Sequence, residues 1–500
     1  MADRPLRIVI LGGGTAGWMA ANLFAQRWPG RAEVTVVESE EIGIVGVGEG
    51  STPQLKAFFD QLGIAEADWM PACNATYKVG IGFRGWSERP GFDHYFHPFA
   101  SQLDVHTAPA FFFNSRARRQ RQDVWAHPDR FFVPACLAEQ RLGPRPAESF
   151  PFEIGYGYHF DAHLIGGYLR AHAAGRGVRR REARIAEVGV DSQGQVTHLG
   201  AEGGERIEGD FFVDCSGFRS MIAQQALGVP FLPFANNLFN DSAVVMPTPI
   251  DPDGTDSSTL ATALRNGWAW RIPLRNRIGN GYVYSSLHCS PDEAEAELRA
   301  HLGLGDEVAA RHLRMKVGRV ENSWAGNCLA VGLSQGFIEP LEATALHIVQ
   351  ATVEGFIQAF EAGGFGARER DGFNRAINAR YEGIRDYIVC HYRVNRRTDT
   401  AYWRDNAAHD NLSDSLKAIL TSWFTGGDLE AEIERQDIAK YYAPLSWHCL
   451  LAGYGNFPDD RAIRPAGPAA LRHDMAAIDD FVRRCALNFP DHRRLLEPPR

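Results

Sequence analysis

No stretch of this 500-residue chain stays apolar for the length that a bilayer crossing needs. Clustered positive charge is missing too. The formal net charge is −9, which argues against nucleic acid, because neutralising phosphates takes grouped Lys and Arg. Two short basic runs, Arg116-Ala117-Arg118-Arg119-Gln120-Arg121 and Arg179-Arg180-Arg181, read as solvated helix faces or ends. The eight cysteines are scattered with no C-x-x-C pair, and no His/Cys spacing supports a metal site. Reduced thiols in a cytoplasmic protein without metal are therefore expected. A secretory leader is not expected either, since the chain enters a strand directly. Repeats and low-complexity linkers are absent. What is left is 45% hydrophobic and 23% charged, the composition of an ordinary globular chain of about two to three domains or subdomains.

The most informative stretch is Arg7 to Ala21. Ile8-Val9-Ile10-Leu11 reads as a buried parallel strand. It breaks at Gly12-Gly13-Gly14 and reopens as a helix with Met19, Leu23 and Phe24 at helical spacing. In Gly12-x-Gly14-Thr15-Ala16-Gly17 the first glycine permits a tight turn and the second lets backbone approach a pyrophosphate. The third lets helix and strand pack closely. The helix start then offers free N–H groups to the phosphates. A second strand, Glu33 to Val37, ends in Glu38, at the ~20-residue offset of an acid that binds a ribose. Strand, helix and acid together favour a dinucleotide site over an unliganded glycine turn. Gly80-x-Gly82-x-x-Gly85 matches the same pattern, but Trp86 to Pro90 cannot open an amphipathic helix, because Pro90 lacks an N–H and clashes with the preceding turn. One nucleotide module at the N-terminal end is more usual for FAD than for NAD.

Further along, the alternating glycines of Ile42 to Pro53 suggest a loop lying along a flat ring, with Glu49 nearby and Ser51 or Thr52 capping a helix from Pro53. Ala75 to Phe83 reads as one strand, on which Lys78 would ordinarily be an exposed or edge residue. Phe92 to Phe99 and Phe111 to Phe113 gather aromatics, either as core or as the lining of a flat pocket. A helix is expected from about Ala162, then a hairpin around Asp191 to Gly194. The strand within Glu208 to Gly217 should close the nucleotide sheet beside the first. Ala243 to Ser286 suggests a separate antiparallel sheet with a turn at Gly279-Asn280-Gly281. Trp268 and Trp270 share one strand face, as a core pair or as a wall beside a ring. After Cys328 to Leu346 a helix starting near Glu342 would present the amides of Thr344 and Ala345 to an anion. Helical periodicity dominates from His347 onward.

Several of these stretches together resemble the flavin-dependent tryptophan halogenases. They are Gly12-Gly13-Gly14-Thr15-Ala16-Gly17-Trp18, Tyr77-Lys78, Trp268-x-Trp270-x-Ile272-Pro273 and Phe337-Ile338-Glu339-Pro340-Leu341-Glu342. Arg385 to Val389, running on to Asp399 to Arg404, is similar as well. The likeness covers nearly the whole chain, and the double-tryptophan motif separates halogenases from ordinary flavin hydroxylases. It implies that a separate reductase supplies reduced FAD, which forms a C4a-hydroperoxide with O2. A chloride or bromide ion then yields hypohalous acid, which crosses a tunnel to a small aromatic substrate. Lys78 matches the lysine that delivers the halogen, by hydrogen bond or as a covalent carrier. Glu342 matches the carboxylate that stabilises the cationic ring intermediate and accepts its proton. By the same likeness Thr344 and Ala345 hold halide, Leu333 and Leu346 flank the flavin, and Trp268 and Trp270 wall it off. His97 and Phe99 resemble the residues that cradle indole, and Tyr441 and Tyr442 those that bind the amino acid.

Departures from the pattern shape the expected substrate. The family's frequent Glu-Ser-Thr-Gly reads Glu342-Ala343-Thr344-Ala345, which bears on halide geometry. Where a glutamate would grip an ammonium, the nearest residue is His448, and an unpaired buried ammonium is costly. The expected substrate is therefore an electron-rich indole, pyrrole or phenol other than free tryptophan. The alternatives are a flavin monooxygenase that hydroxylates an aromatic ring, and a catalytically silent FAD-binding protein. The expected fold is α/β, an FAD-binding Rossmann-like two-part flavoprotein module with an added antiparallel sheet and a mainly helical C-terminal region. Residues 1–350 are read as the FAD module, interrupted by substrate-pocket segments near 80–150 and 230–320, and residues 351–500 as a mainly helical substrate-side subdomain. Neither nucleic acid nor membrane is an expected partner, and a homodimer is left open.

Overall fold

The computed structural model describes residues 4–39 and 48–497. The first half of the expected ring-side loop, Ile42 to Val47, lies outside the described residues. The chain forms two compact units: Met1–Ala75 with Phe160–Ala235 and Met315–Glu382, and Thr76–His159 with Asn236–Arg314 and Gly383–Arg500.

The first unit is built on a six-stranded sheet in the order Trp324–Ala325, Cys328–Ala330, Phe211–Asp214, Leu6–Leu11, Ala32–Glu38, Arg179–Glu182. Leu6–Leu11 runs parallel to both its neighbours, with Ile10 opposite Val213 on one side and Val36 on the other. Strands covered on both faces carry near-continuous apolar runs, and Ile8, Val9 and Ile10 are all buried. The helix Thr15–Arg27 packs against the helices Ala162–Ala174 and Ala345–Ala362. Arg179-Arg180-Arg181 is a correction: it forms the exposed edge strand, where charge blocks pairing with another chain, and not a helix face. The expected hairpin is present, Ile185–Val190 pairing antiparallel with Val196–Ala201.

The second unit carries a seven-stranded sheet in the order Arg311–Arg314, Ser242–Thr248, Ile278–Tyr284, Gly267–Pro273, Thr259–Leu264, Gly80–Arg84, His94–Pro98. Only the Thr259–Leu264 and Gly80–Arg84 pair is parallel. Gly279-Asn280-Gly281 is not a turn; it lies within the strand Ile278–Tyr284, and the chain reverses at Leu274 to Arg277. Gly281 pairs with Trp270, and a Cβ there would stand 2.1 Å from the indole ring. The glycine makes room for a side chain. From Ala401 onward the unit is mainly helical, with Asp414–Phe424, Pro444–Gly453 and Met475–Ala486 as its longer helices. Among the described residues no helix is long and apolar enough to cross a membrane, and no cluster of His, Cys, Asp and Glu could hold a metal.

Candidate active site

In the first unit the three motif glycines do three different things. Gly12 has φ +114°, and a Cβ on it would lie 2.1 Å from the Cys215 carbonyl oxygen. A Cβ on Gly17 would lie 2.0 Å from the Gly12 oxygen, so this glycine seats the helix on the turn. Gly14 faces open space, with nothing within 4 Å of a Cβ, at the extended entry to the helix Thr15–Arg27. No side chain caps that helix start, so its first amides are left for an anion. Thr15 turns its hydroxyl to the Ala162 carbonyl at 3.5 Å, and the Ala16 Cβ packs where a Cβ on Gly332 would come within 2.8 Å. Glu38 ends its strand beside this turn. It accepts from the Trp18 indole N–H at 3.3 Å and pairs with Arg170 at 3.4 Å and with Arg180. Its two cationic partners carry no sequence signal, being 132 and 142 residues away. An open backbone approach, an uncapped helix start and a carboxylate at the strand end fit the pyrophosphate and ribose of FAD.

Glu49 lies on the strand Gly48–Gly50, and burial, aided by the negative charge of Asp161, pushes its carboxyl up to about 7. Asp161 itself caps the helix Ala162–Ala174 by accepting from the His163 and Leu164 amides. Pro53, rather than Ser51 or Thr52, stands at the cap of Gln54–Leu62 and gives no side-chain bond. Leu333 lies in the single turn Gly332–Ser334, and Leu346 is buried in the first turn of Ala345–Ala362. Glu342 is buried in the short turn Pro340–Glu342. The helix starts at Ala345 and not near Glu342, because Ala343 adopts the left-handed conformation at φ 55° and interrupts it. Thr344 and Ala345 thus stand at the uncapped start of an 18-residue helix.

In the second unit the expected single strand from Ala75 to Phe83 divides at Val79 into Thr76–Lys78 and Gly80–Arg84, which join different sheets. Lys78 pairs opposite Gly157 of Gly157–Asp161 on a terminal strand of its sheet, the edge placement that strand lysines ordinarily take, yet it is 0% exposed. Its Nζ stands 5.5 Å from the centroid of the Phe99 ring. His159, which sequence reading missed, pairs opposite Thr76 on the same strand. The Thr76 hydroxyl donates to the Pro273 carbonyl at 2.7 Å, so its oxygen accepts from His159 Nδ1–H at 3.1 Å. The bare Nε2 then accepts from the Thr259 hydroxyl at 2.9 Å. This imidazole is locked neutral: burial, and then the charge of Lys78, drive it well below the ordinary histidine range.

Trp268 and Trp270 are both buried, their rings 6.2 Å apart at 57°. Their indole N–H groups have no hydrogen-bond partner among the described residues. His97 Nε2 lies 3.0 Å from the Ser446 hydroxyl, and the Tyr387 hydroxyl donates to the Ser446 carbonyl at 3.0 Å. Tyr387, which lies in the family-like stretch Arg385 to Val389 with no role assigned to it there, stacks flat on Tyr442 at 3.6 Å and 9°. The structure therefore brings His97 and Tyr387 to Ser446, with Tyr442 stacked on Tyr387, and sets Phe99 against Lys78. Tyr441 instead covers Gly383, where a Cβ would meet its ring at 2.3 Å. His448 packs on Phe112 and Trp423 and faces Glu430 at 3.5 Å; burial lowers its pKa despite that carboxylate.

A tryptophan halogenase family profile matches residues 7–466. The chain is 37% identical to the tryptophan 6-halogenase SttH of Streptomyces toxytricini, over 96% of this chain and 95% of that one. It is 34% identical to the tryptophan 7-halogenase RebH of Lentzea aerocolonigenes, over 99% of each. Among solved structures, BrvH, a flavin-dependent halogenase from Brevundimonas sp. BAL3, superposes with a TM-score of 0.83 at 32% identity, covering 99% of each chain.

Proposed function

Since the chain belongs to the tryptophan halogenase family of flavin-dependent enzymes, we propose that Lys78 delivers electrophilic halogen to an electron-rich aromatic ring, and that its substrate is not free tryptophan. The observation that carries the reading is the complete burial of that lysine, over Phe99 and beside a neutral His159. A buried ammonium is expensive to maintain and is retained where it does chemistry. It would give a hydrogen bond and then a proton to the oxygen of hypohalous acid, so that the O–halogen bond breaks to leave water while the halogen bonds to ring carbon. Glu342 would accept the proton that the ring then loses.

In the same proposal the first unit is the flavin module. The amides of Gly14, Thr15 and Ala16 would hold the pyrophosphate, Glu38 the ribose, and Leu333 and Leu346 the ring. Reduced FAD, supplied by a separate reductase, provides the reaction with O2 that oxidises halide. Thr344 and Ala345 would hold that halide by their amides, and Glu49, whose carboxyl burial pushes up to about 7, would lie along the flavin ring. The second unit would take the arene, with Trp268 and Trp270 as a wall and His97, Phe99, Tyr441 and Tyr442 as contacts. Two observations support a substrate without an amino-acid group. Tyr442 has one face occupied by Tyr387, and the carboxylate next to His448 already faces that imidazole.

Incubation with a flavin reductase, FAD, NADH and chloride or bromide against indoles, phenols and tryptophan, read by mass spectrometry, tests the proposal. A halogen isotope doublet that appears only with halide, and least on free tryptophan, is expected. A product that gains one oxygen and no halogen would instead support a hydroxylase.

A further inference from the structure

The strand Thr76–Lys78 is a terminal strand of its sheet, and its unpaired edge is buried. Two amides on that edge, one on either side of Lys78, find partners that are not strands. The Val79 N–H donates to the Ser257 carbonyl at 2.8 Å. The Tyr77 N–H donates to Nε2 of His492 at 3.1 Å, a residue 415 positions later at the start of the last helix, His492–Leu496. The other ring nitrogen, Nδ1, lies 3.1 Å from the Thr255 carbonyl oxygen. A backbone amide only donates and a carbonyl only accepts, so His492 is the neutral Nδ1–H tautomer with a bare Nε2.

The same C-terminal turn also holds the segment that supplies the other partners. Arg493 donates to the carbonyls of Pro252 and Asp251 at 2.9 and 2.6 Å, just before Thr255 and Ser257. The turn is itself pinned, with the His492 amide on the Arg141 carbonyl and the Gly143 amide on the Pro490 carbonyl, both at 2.9 Å. His492 is 0% exposed and thus sits where a strand neighbour would otherwise run. A buried amide left without an acceptor would shift to find one, and Lys78 would shift with it.

We propose that His492 is a positioning residue for halogen delivery: it holds the backbone beside Lys78 so that the ammonium stays over Phe99. The proposal rests on the reading of Lys78 as the delivering amine. It gives a distant residue a specific kinetic signature, because displacing a reactive group by about 1 Å costs on the order of a hundredfold in rate without altering substrate affinity.

The test uses the full chain with reductase, FAD, halide and an accepted arene. Halogenated product is measured alongside hypohalous acid captured by added monochlorodimedone. His492→Ala is expected to lower the kcat for product about ten- to hundredfold, with KM unchanged and total oxidant formed at the wild-type rate. His492→Gln, whose amide oxygen can stand where Nε2 stood, should recover most of that loss. His492→Asn, too short to reach the Tyr77 amide, should not. Wild-type product formation in His492→Ala would overturn the proposal, as would equal loss in Gln and Asn or a parallel fall of oxidant and product. If His492→Ala does not fold, the Gln and Asn pair decides alone. Lys78→Met separates the two readings: wild-type product there refutes the role of Lys78, whereas an inactive Lys78→Met beside an unimpaired His492→Ala refutes only the positioning role.

Discussion

The Lys78 ammonium stands 5.5 Å from the centroid of the Phe99 ring, with no part of the lysine exposed to solvent. An aromatic face attracts a cation at this distance, and the attraction reaches about 2 kcal/mol when the pair is desolvated. Phe99→Leu keeps apolar volume and removes the ring. It should lower product formation roughly five- to thirtyfold, since about 1.4 kcal/mol is a factor of ten. Flavin binding, followed by fluorescence, should not change. An unaltered product rate would show that the ring does not serve the amine.

Gly14 and Gly17 should fail in opposite ways when replaced by alanine. Nothing lies within 4 Å of a Cβ on Gly14, whereas a Cβ on Gly17 would sit 2.0 Å from the Gly12 oxygen. Gly14→Ala is expected to keep the melting temperature of the flavin-free protein and to weaken FAD binding at least tenfold, because the methyl group occupies the approach to the pyrophosphate. Gly17→Ala should lower the melting temperature of that same form. Calorimetry with flavin titration checks both. Equal FAD affinity in Gly14→Ala and wild type would remove the cradle from the site.

Gly281→Ala would place a Cβ 2.1 Å from the Trp270 ring. Overpacking of this kind costs about 1–3 kcal/mol and displaces the side chain that yields. A lower denaturation midpoint is expected, together with a changed tryptophan fluorescence spectrum. Neither effect would appear if the ring lay elsewhere.

Much of the fold could be read from local patterns, because a parallel nucleotide sheet has a strong local code. The apolar run at Ile8 to Leu11, the three glycines and the acid at Glu38 each have a backbone reason visible at short range. The errors arose where tertiary neighbours decide. Val79 looks like the middle of one strand, yet its amide is taken by Ser257 and the chain changes sheets there. Gly279-Asn280-Gly281 has the composition of a turn, but the bulk of Trp270 is what requires glycine at 281. Ala343 reads as a helix former and sits at φ 55°. Of the proposed site, Lys78 and Glu342 are legible only through resemblance, since a lone lysine on a strand has no catalytic signature of its own. His159 and His492 were missed, because their partners lie 83 and 415 residues away in sequence.

Acid should weaken the fold through His492. Burial is the main cause that lowers its pKa from 6.5 to about 4. The unfolded chain therefore binds this proton more readily than the folded one, and stability falls as pH drops from about 6.5 toward 4. The full effect is on the order of 3 kcal/mol at about 1.4 kcal/mol per pKa unit. Denaturation midpoints between about pH 7 and 5 should fall more steeply for wild type than for His492→Gln, which lacks the titrating group. Parallel curves would show that the histidine does not titrate in this window.

The most direct measurement of the central claim separates oxidant from product in Lys78→Met, using reductase, FAD, halide and an accepted arene. Loss of halogenated product by about a thousandfold or more is expected, with hypohalous acid still formed at the wild-type rate and recovered in the trap. Undiminished product from Lys78→Met would contradict the assignment of halogen delivery to this amine.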